Sequence, residues 1–222
     1  MLGLSWRHLV TLALAMHLSG IVSGDAVATR PFVAHYQLAV SGWPDATIEH
    51  RLTREGNAWQ SLMQARIPVA TGSERSRFIV APGGIRSVAY ESGYSLLGIG
   101  KAYRLGPDEL AKLPDRQAAL FALSRRAARG DCQPRCRLRY QDHQGEEETL
   151  LVRHLGPRQV SLPAGDFEAV VVEITEPDEP DRRLVFGFHP TIPGLLLTME
   201  YHRDGERRSR LSLSSLSLPG QP

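Results

Sequence analysis

The residues of this 222-residue chain that could do chemistry are two cysteines, scattered histidines and a few serine- and glutamate-rich stretches. Cys132 and Cys136 stand in Cys-Gln-Pro-Arg-Cys. Thiols this close in an exported chain are expected to form a disulfide. The spacing is not that of a thioredoxin-like redox pair, and no βαβ pattern surrounds it, so a local staple is expected. Two thiols alone make a poor zinc site, because structural zinc wants four ligands. His35, His50, His143, His154, His189 and His202 form no HxH or HExxH pair. They read as strand or loop histidines, with a composite metal site from distant strands left open. Gly93-Tyr94-Ser95-Leu96-Leu97-Gly98 has the wrong spacing for a nucleophile elbow. Gly98-Ile99-Gly100-Lys101-Ala102 lacks the first glycine and the hydroxyl of a phosphate loop. Glu146-Glu147-Glu148 lies in a polar turn, where solvation accounts for it. Ser212, Ser214, Ser215 and Ser217 fit the outward face and bulge of a terminal strand. The expectation is therefore no catalytic residue, no cofactor and no metal. The Cys132–Cys136 disulfide is the one assigned site, and no ligand-binding residue is assigned.

The start of the chain is an address. Arg7 and His8 precede an apolar run from Leu9 to about Val22, and Val22-Ser23-Gly24 offers small residues for cleavage. This is the pattern of a secretory signal peptide over residues 1–24, with Ala26-Val27-Ala28 as a rival cleavage site. The run is shorter than the ~20 residues of a spanning helix, and His17 and Ser19 interrupt it. No cysteine follows the cleavage site to take a lipid anchor. The expected location is the periplasm, with no transmembrane span in the mature chain. Residues 25–222 should form a single all-β domain, since all-β chains of ~200–250 residues often stay single. The chain carries 26 Lys+Arg against 24 Asp+Glu, a formal charge of +2. That balance supplies no strong field for nucleic acid or anionic lipid. Arg75, Arg77 and Arg86, with Phe78 and Tyr90 nearby, read as a solvated sheet face rather than a nucleic-acid reader.

The elements that must position these residues are mostly strands. Phe32, Ala34, Tyr36, Leu38 and Val40 share one face of a period-two run, and Ile48 and Leu52 alternate with polar neighbours. Gly42-Trp43-Pro44-Asp45, Glu55-Gly56-Asn57 and Pro82-Gly83-Gly84 supply the turns of an antiparallel meander. The rhythm breaks once. Asp115 to Arg129 is rich in Ala and Leu, with Asp115 placed as N-cap, arginines in the last turn and Gly130 as the stop. Leu120, Phe121 and Leu123 of this helix must bury against the sheet. Strands resume at Leu138. Leu150–Leu155 and Gln159–Leu162 read as separate runs, and Phe167–Thr175 reads as a central strand. Asp204-Gly205 signals a type I′ hairpin. A one-residue bulge near Ser214-Ser215 would keep Leu211, Leu213, Leu216 and Leu218 on the core face.

Three motifs resemble the bacterial periplasmic domain of unknown function 3108. They are Phe32-Val33-Ala34-His35-Tyr36 running to Gly42, Leu162-Pro163-Ala164-Gly165-Asp166-Phe167, and Phe188-His189-Pro190 through Ile192-Pro193-Gly194. The resemblance spans about residues 31–218 and departs at Val88, at Phe186–Pro190 and at the cysteine pair. It implies an exported envelope protein with a curved antiparallel sheet, distantly similar to periplasmic β-spiral envelope-integrity proteins. It implies no activity and no catalytic residue.

The expected fold is all-β: a curved antiparallel sheet of roughly ten to twelve strands forming an open or spiral β-barrel, with one helix at about 115–129. The expected function is a soluble, non-catalytic binding or scaffold protein of the cell envelope. Its expected partner is a hydrophobic ligand or an envelope protein, not nucleic acid. The alternative is an envelope hydrolase whose active site is not recognisable from sequence.

Overall fold

The computed structural model describes residues 28–67 and 69–219. The leader expected over residues 1–24 lies outside them. Among the described residues no helix is long and apolar enough to cross a membrane.

Six strands precede the helix: Phe32–Val40 (β1), Ala46–Glu55 (β2), Ala58–Ile67 (β3), Ala70–Ala81 (β4), Gly84–Leu96 (β5) and Ile99–Leu105 (β6). Six follow it: Arg135–Gln141 (β7), Glu147–Leu162 (β8), Gly165–Thr175 (β9), Arg182–Phe188 (β10), Leu196–Arg203 (β11) and Glu206–Ser217 (β12). All twelve belong to one sheet, in the order β6-β5-β4-β3-β2-β1-β12-β11-β10-β9-β8-β7. The chain thus steps outward from β1 to one edge, crosses to the other edge, and steps back until β12 pairs with β1. The crossing from β6 to β7 carries a one-turn 3-10 helix, Glu109–Ala111, and the α-helix Arg116–Arg129 (α1).

That crossing forces the curvature. Strands lie ~4.8 Å apart, so twelve of them laid flat would separate the two edges by roughly 50 Å. Yet α1 packs against β4 and β5 on one side and against β7, β9 and β10 on the other. The sheet therefore curls around the helix as an open all-β fold, and β6 and β7 remain unpaired edges. At the seam between them, the ring of Tyr103 on β6 meets that of His143 in the β7–β8 turn, edge to face at 4.7 Å.

The helix forms where its caps dictate. Asp115 accepts hydrogen bonds from the backbone N–H groups of Gln117 and Ala118, both at 3.0 Å. Gly130 ends the helix at φ +75°, where a left-handed residue suits glycine. Phe121 and Leu123 are buried, and Leu120 is half-buried against the same core. Phe121 lies on Phe78 with ring centroids 4.8 Å apart. It also lies over Gly194, where a Cβ would stand 2.6 Å from its ring. The backbone N–H of Gly194 donates to Ser124 Oγ at 2.8 Å. The Ile192-Pro193-Gly194 motif is thus the seat of the helix, and α1 is a permanent core element.

Two details of the strands differ from or match the sequence pattern. Leu150–Leu155 and Gln159–Leu162 are not separate strands but parts of the single strand β8. The pairing with β9 slips between His154 and Gly156, and this bulge breaks the apolar alternation without breaking the strand. In β12 the register slips opposite His35/Tyr36, leaving Ser214 as the extra residue. Leu211 and Leu213 are consequently buried, and Leu216 and Leu218 pack against the same core. Asp204 and Gly205 both have positive φ, as a type I′ turn requires. Cys132 and Cys136 are joined by a disulfide across the loop after α1, with Cα atoms 5.0 Å apart.

Candidate functional site

Strand alternation puts the even residues of β2, the odd residues of β3 and the even residues of β4 on the inner face of the curl. Past the register slip in β5, Tyr90, Ser92, Tyr94 and Leu96 join them, paired with Leu105, Tyr103, Lys101 and Ile99 of β6. The helix fills only the lower part of this interior. Its start is tied to the middle of the sheet, at Glu74 and Ser76, and its last turn reaches the β4–β5 turn at the bottom. Above Arg116 the inner face is uncovered.

The uncovered part is an open mouth of about 420 Å³, with walls formed by Ile48, Met63, Ala65, Gly72, Tyr94 and Tyr103. By the same alternation, a second trough of about 590 Å³, lined by Gln64, Arg66, Thr71, Ser73 and Ser95, lies behind it on the outer face. Gly72 keeps the mouth clear, since a Cβ placed there would meet nothing within 4 Å. The floor is polar. The Arg116 guanidinium forks onto Glu74, Nε to Oε1 at 2.6 Å and Nη2 to Oε2 at 2.8 Å. Tyr90 donates its hydroxyl to Glu74 Oε1 at 2.7 Å. Burial, then the Glu74 charge, pushes the Tyr90 phenol above its ordinary pKa. Burial works against the Arg116 charge, but the Glu74 ion pair outweighs it and holds the guanidinium more firmly protonated. His143 and Tyr103 close one side of the floor. The arrangement offers apolar walls, a fixed ion pair and an open top. It presents no activated nucleophile.

One row of side chains does have the composition of a hydrolytic triad. Ser215 Oγ lies 3.1 Å from His35 Nδ1, and His35 Nε2 lies 3.4 Å from Glu49 Oε2. The three are direct cross-strand neighbours on β12, β1 and β2, on the outer face away from the mouth. Glu49 is also held by Arg51 at 2.9 Å. The row is explained by pairing register on a solvated face.

The other residues singled out from sequence are dispersed. The Cys132–Cys136 loop follows the lower end of α1, away from the mouth. His50 is buried and shares a hydrogen bond with Ser61 Oγ at 2.9 Å. His154 reaches the Ala127 carbonyl, His189 accepts from Thr191 N–H, and His202 meets Glu200. No group of three or more metal-capable side chains occurs among the described residues. Arg75 and Arg77 pair with Glu91 and Glu55. The residues of the mouth were not found by looking for reactive side chains. The β5–β6 hairpin beyond the mouth does carry a sequence signal: Leu96-Leu97-Gly98-Ile99 puts apolar residues in and beside a two-residue turn that polar ones ordinarily fill.

No protein-family model and no curated protein matches the chain. Among solved structures, MucB matches over 89% of this chain and 56% of its own, at 15% identity and a TM-score of 0.42. MucB in a complex with MucA from Pseudomonas aeruginosa matches over 86% of this chain and 53% of its own, at 14% identity and a TM-score of 0.40. The chain thus spans about half the length of the MucB chains it matches. A Bacteroides fragilis protein with a YmcC-like fold matches over 86% of this chain and 96% of its own, at 11% identity and a TM-score of 0.36.

Proposed function

We propose that the chain is a periplasmic, non-catalytic binding protein that holds an elongated apolar ligand in the mouth above α1. The observation that carries this is the uncovered inner face, with Ile48, Met63, Ala65 and Tyr94 walling an open hollow whose floor is the Glu74–Arg116 pair. Ligand pockets of several hundred Å³ with apolar walls and a few fixed polar groups are the usual form of small-molecule sites. An acyl or similar chain would lie against the walls, with Arg116 and Tyr103 within reach of a polar group. Export through a leader over residues 1–24 and membership of the domain family that the motifs resemble belong to the same proposal. The leader pattern and the three quoted motifs support them.

Gly72→Phe tests the reading. The new side chain would enter open space on the inner face, opposite Ala65 and Tyr94, and fill the mouth without disturbing the strands. A fluorescent long-chain fatty acid should bind the exported protein and be lost at least tenfold in Gly72→Phe, with the circular dichroism unchanged. Equal binding by the two proteins would reject the mouth as the site. Mass spectrometry of extracts from protein purified out of the periplasm would identify the natural occupant.

A further inference from the structure

The β5–β6 turn is built on Leu97 and Gly98, with φ of +52° and +84°. Two positive values in a two-residue hairpin define a type I′ turn, where Asn-Gly is the ordinary choice. A leucine there carries the steric cost of a Cβ in the left-handed region. No buried contact offsets that cost, because Leu97 is 77% exposed. Its neighbour Ile99 is 81% exposed. A strained backbone that displays a bulky apolar side chain to solvent points to something outside the chain.

The topology places this tip in company. Alternate hairpins of a meander emerge at the same end, so the β1–β2 and β3–β4 turns share an end with the β5–β6 turn. Trp43 lies on the first and Val69 on the second, and both are exposed. Leu97 N–H donates to the Val69 carbonyl at 2.8 Å, tying two of the tips together. At ~4.8 Å per strand, the three tips extend over roughly 20 Å of rim. Among the described residues, the exposed large apolar side chains all belong to this end: Trp43, Val69, Tyr94, Leu96, Leu97 and Ile99. Arg66 and Lys101 flank the tips, and neither has a carboxylate within ion-pair distance among the described residues. Asp45 is the one acid in these three turns. The tips of the second meander are different in kind. Glu179, Asp181 and Asp204 there pair with Arg182 and Arg203.

We propose that the three tips of the first meander insert into an anionic phospholipid surface. Leu97 and Ile99 enter the acyl boundary, Trp43 sits at headgroup depth, and Arg66 and Lys101 meet the headgroup phosphates. This goes beyond the ligand reading, since the contact does not require the mouth to be filled. It also sets the mouth's open top against the bilayer.

The exported chain carries its own reporter. Trp43 is 59% exposed whereas Trp59 is 7% exposed, so a change of tryptophan emission on binding reports Trp43. Vesicles of phosphatidylcholine with 30% phosphatidylglycerol, of roughly the composition that gives a strong surface charge, should blue-shift the emission and carry the protein on flotation. Leu97→Glu with Ile99→Glu should lower partitioning at least tenfold, with the fold intact by circular dichroism. Lys101→Glu with Arg66→Glu should lower it severalfold on anionic vesicles only. Gly72→Phe, which blocks the mouth, should partition as the parent chain does; loss of partitioning there would move the lipid contact into the mouth and overturn the proposal. No blue shift at millimolar lipid would also overturn it, as would equal partitioning of the Leu97→Glu, Ile99→Glu protein. A concentration-dependent dimer abolished by the same pair of changes would assign the tips to a second copy of this chain instead.

Discussion

His50 shows how one buried side chain sets a pH limit. It lies on the inner face of β2, its ring edge-on to Phe32 at 5.0 Å and bonded to Ser61. Burial lowers its pKa to about 4, against an ordinary 6.5. The folded state therefore favours the neutral ring. The stability this represents is fully present above pH 6.5 and is lost as pH falls toward 4, by about 2–3 kcal/mol between pH 7 and pH 4.5. Asp115 acts in the opposite sense, since burial raises its carboxyl pKa and protonation in acid then favours the folded state. The His50 contribution is isolated by difference. Urea titrations at the two pH values should show a smaller acid loss for His50→Gln than for the parent, and parallel losses would reject the assignment. Leu97 supplies a second test at this scale. Leu97→Asn puts the preferred residue into the left-handed turn position and removes an exposed apolar surface. It should raise stability by about 0.5–1 kcal/mol while weakening lipid partitioning, so the two readouts move in opposite directions.

At the scale of elements, the period-two alternation made most strands legible, because one buried face leaves a strict signature. In sequence His50 reads as a strand histidine, half-buried or facing solvent; in the structure it is buried on the inner face with Leu52, in phase with Ile48. The helix was legible from its ends, since Asp115 and Gly130 are capping types at a fixed separation. What alternation could not show was the continuity of β8, where a bulge at His154/Gly156 mimics a break. The β5–β6 tip was also hidden. Whether Leu96-Leu97-Gly98-Ile99 is a tip or a core segment depends on the sign of two φ angles, and apolar content alone argues for the core. The cysteine loop was legible, because five residues can close only a local ring. Cys132 and Cys136 clamp the loop between α1 and β7, and Cys132 is buried. Replacing both by serine should cost about 2 kcal/mol on the chain-entropy scale and leave the fold and ligand binding in place. Thermal or urea unfolding of the double variant measures this. Collapse of the sheet would show the clamp to be more than local.

At the scale of the whole molecule, hairpins were predictable but the meeting of the two sheet edges was not, because it rests on contacts between residues far apart in sequence. Asp115 is where those contacts converge. Its carboxylate is fully buried and accepts from Ser76 Oγ on β4 at 2.7 Å and Ser87 Oγ on β5 at 2.6 Å, besides capping α1. Its backbone forms a bridge with Gln141 at the end of β7, and the Gln141 N–H donates to the Pro114 carbonyl at 2.9 Å. One residue thus ties β4, β5, the helix and the far edge of the sheet. Asp115→Ala removes the cap and leaves two buried hydroxyls without their acceptor, a loss of about 3–5 kcal/mol. Asp115→Asn keeps the capping oxygen and its amide can donate to the two hydroxyl oxygens, but the hydroxyl protons still lose their acceptor. It also discards a charge that burial disfavours, so it should cost less than Asp115→Ala, about 1–2 kcal/mol. Native-state hydrogen exchange separates a clasp from a simple cap. With Asp115→Ala, the amides of β5 and β6 should quicken together with those of β7, while the β1–β12 pairing at the centre stays protected. Quickening confined to the first turn of α1 would mean that Asp115 only caps the helix, and that the curl is held by the apolar contacts of Phe121 and Leu123 alone.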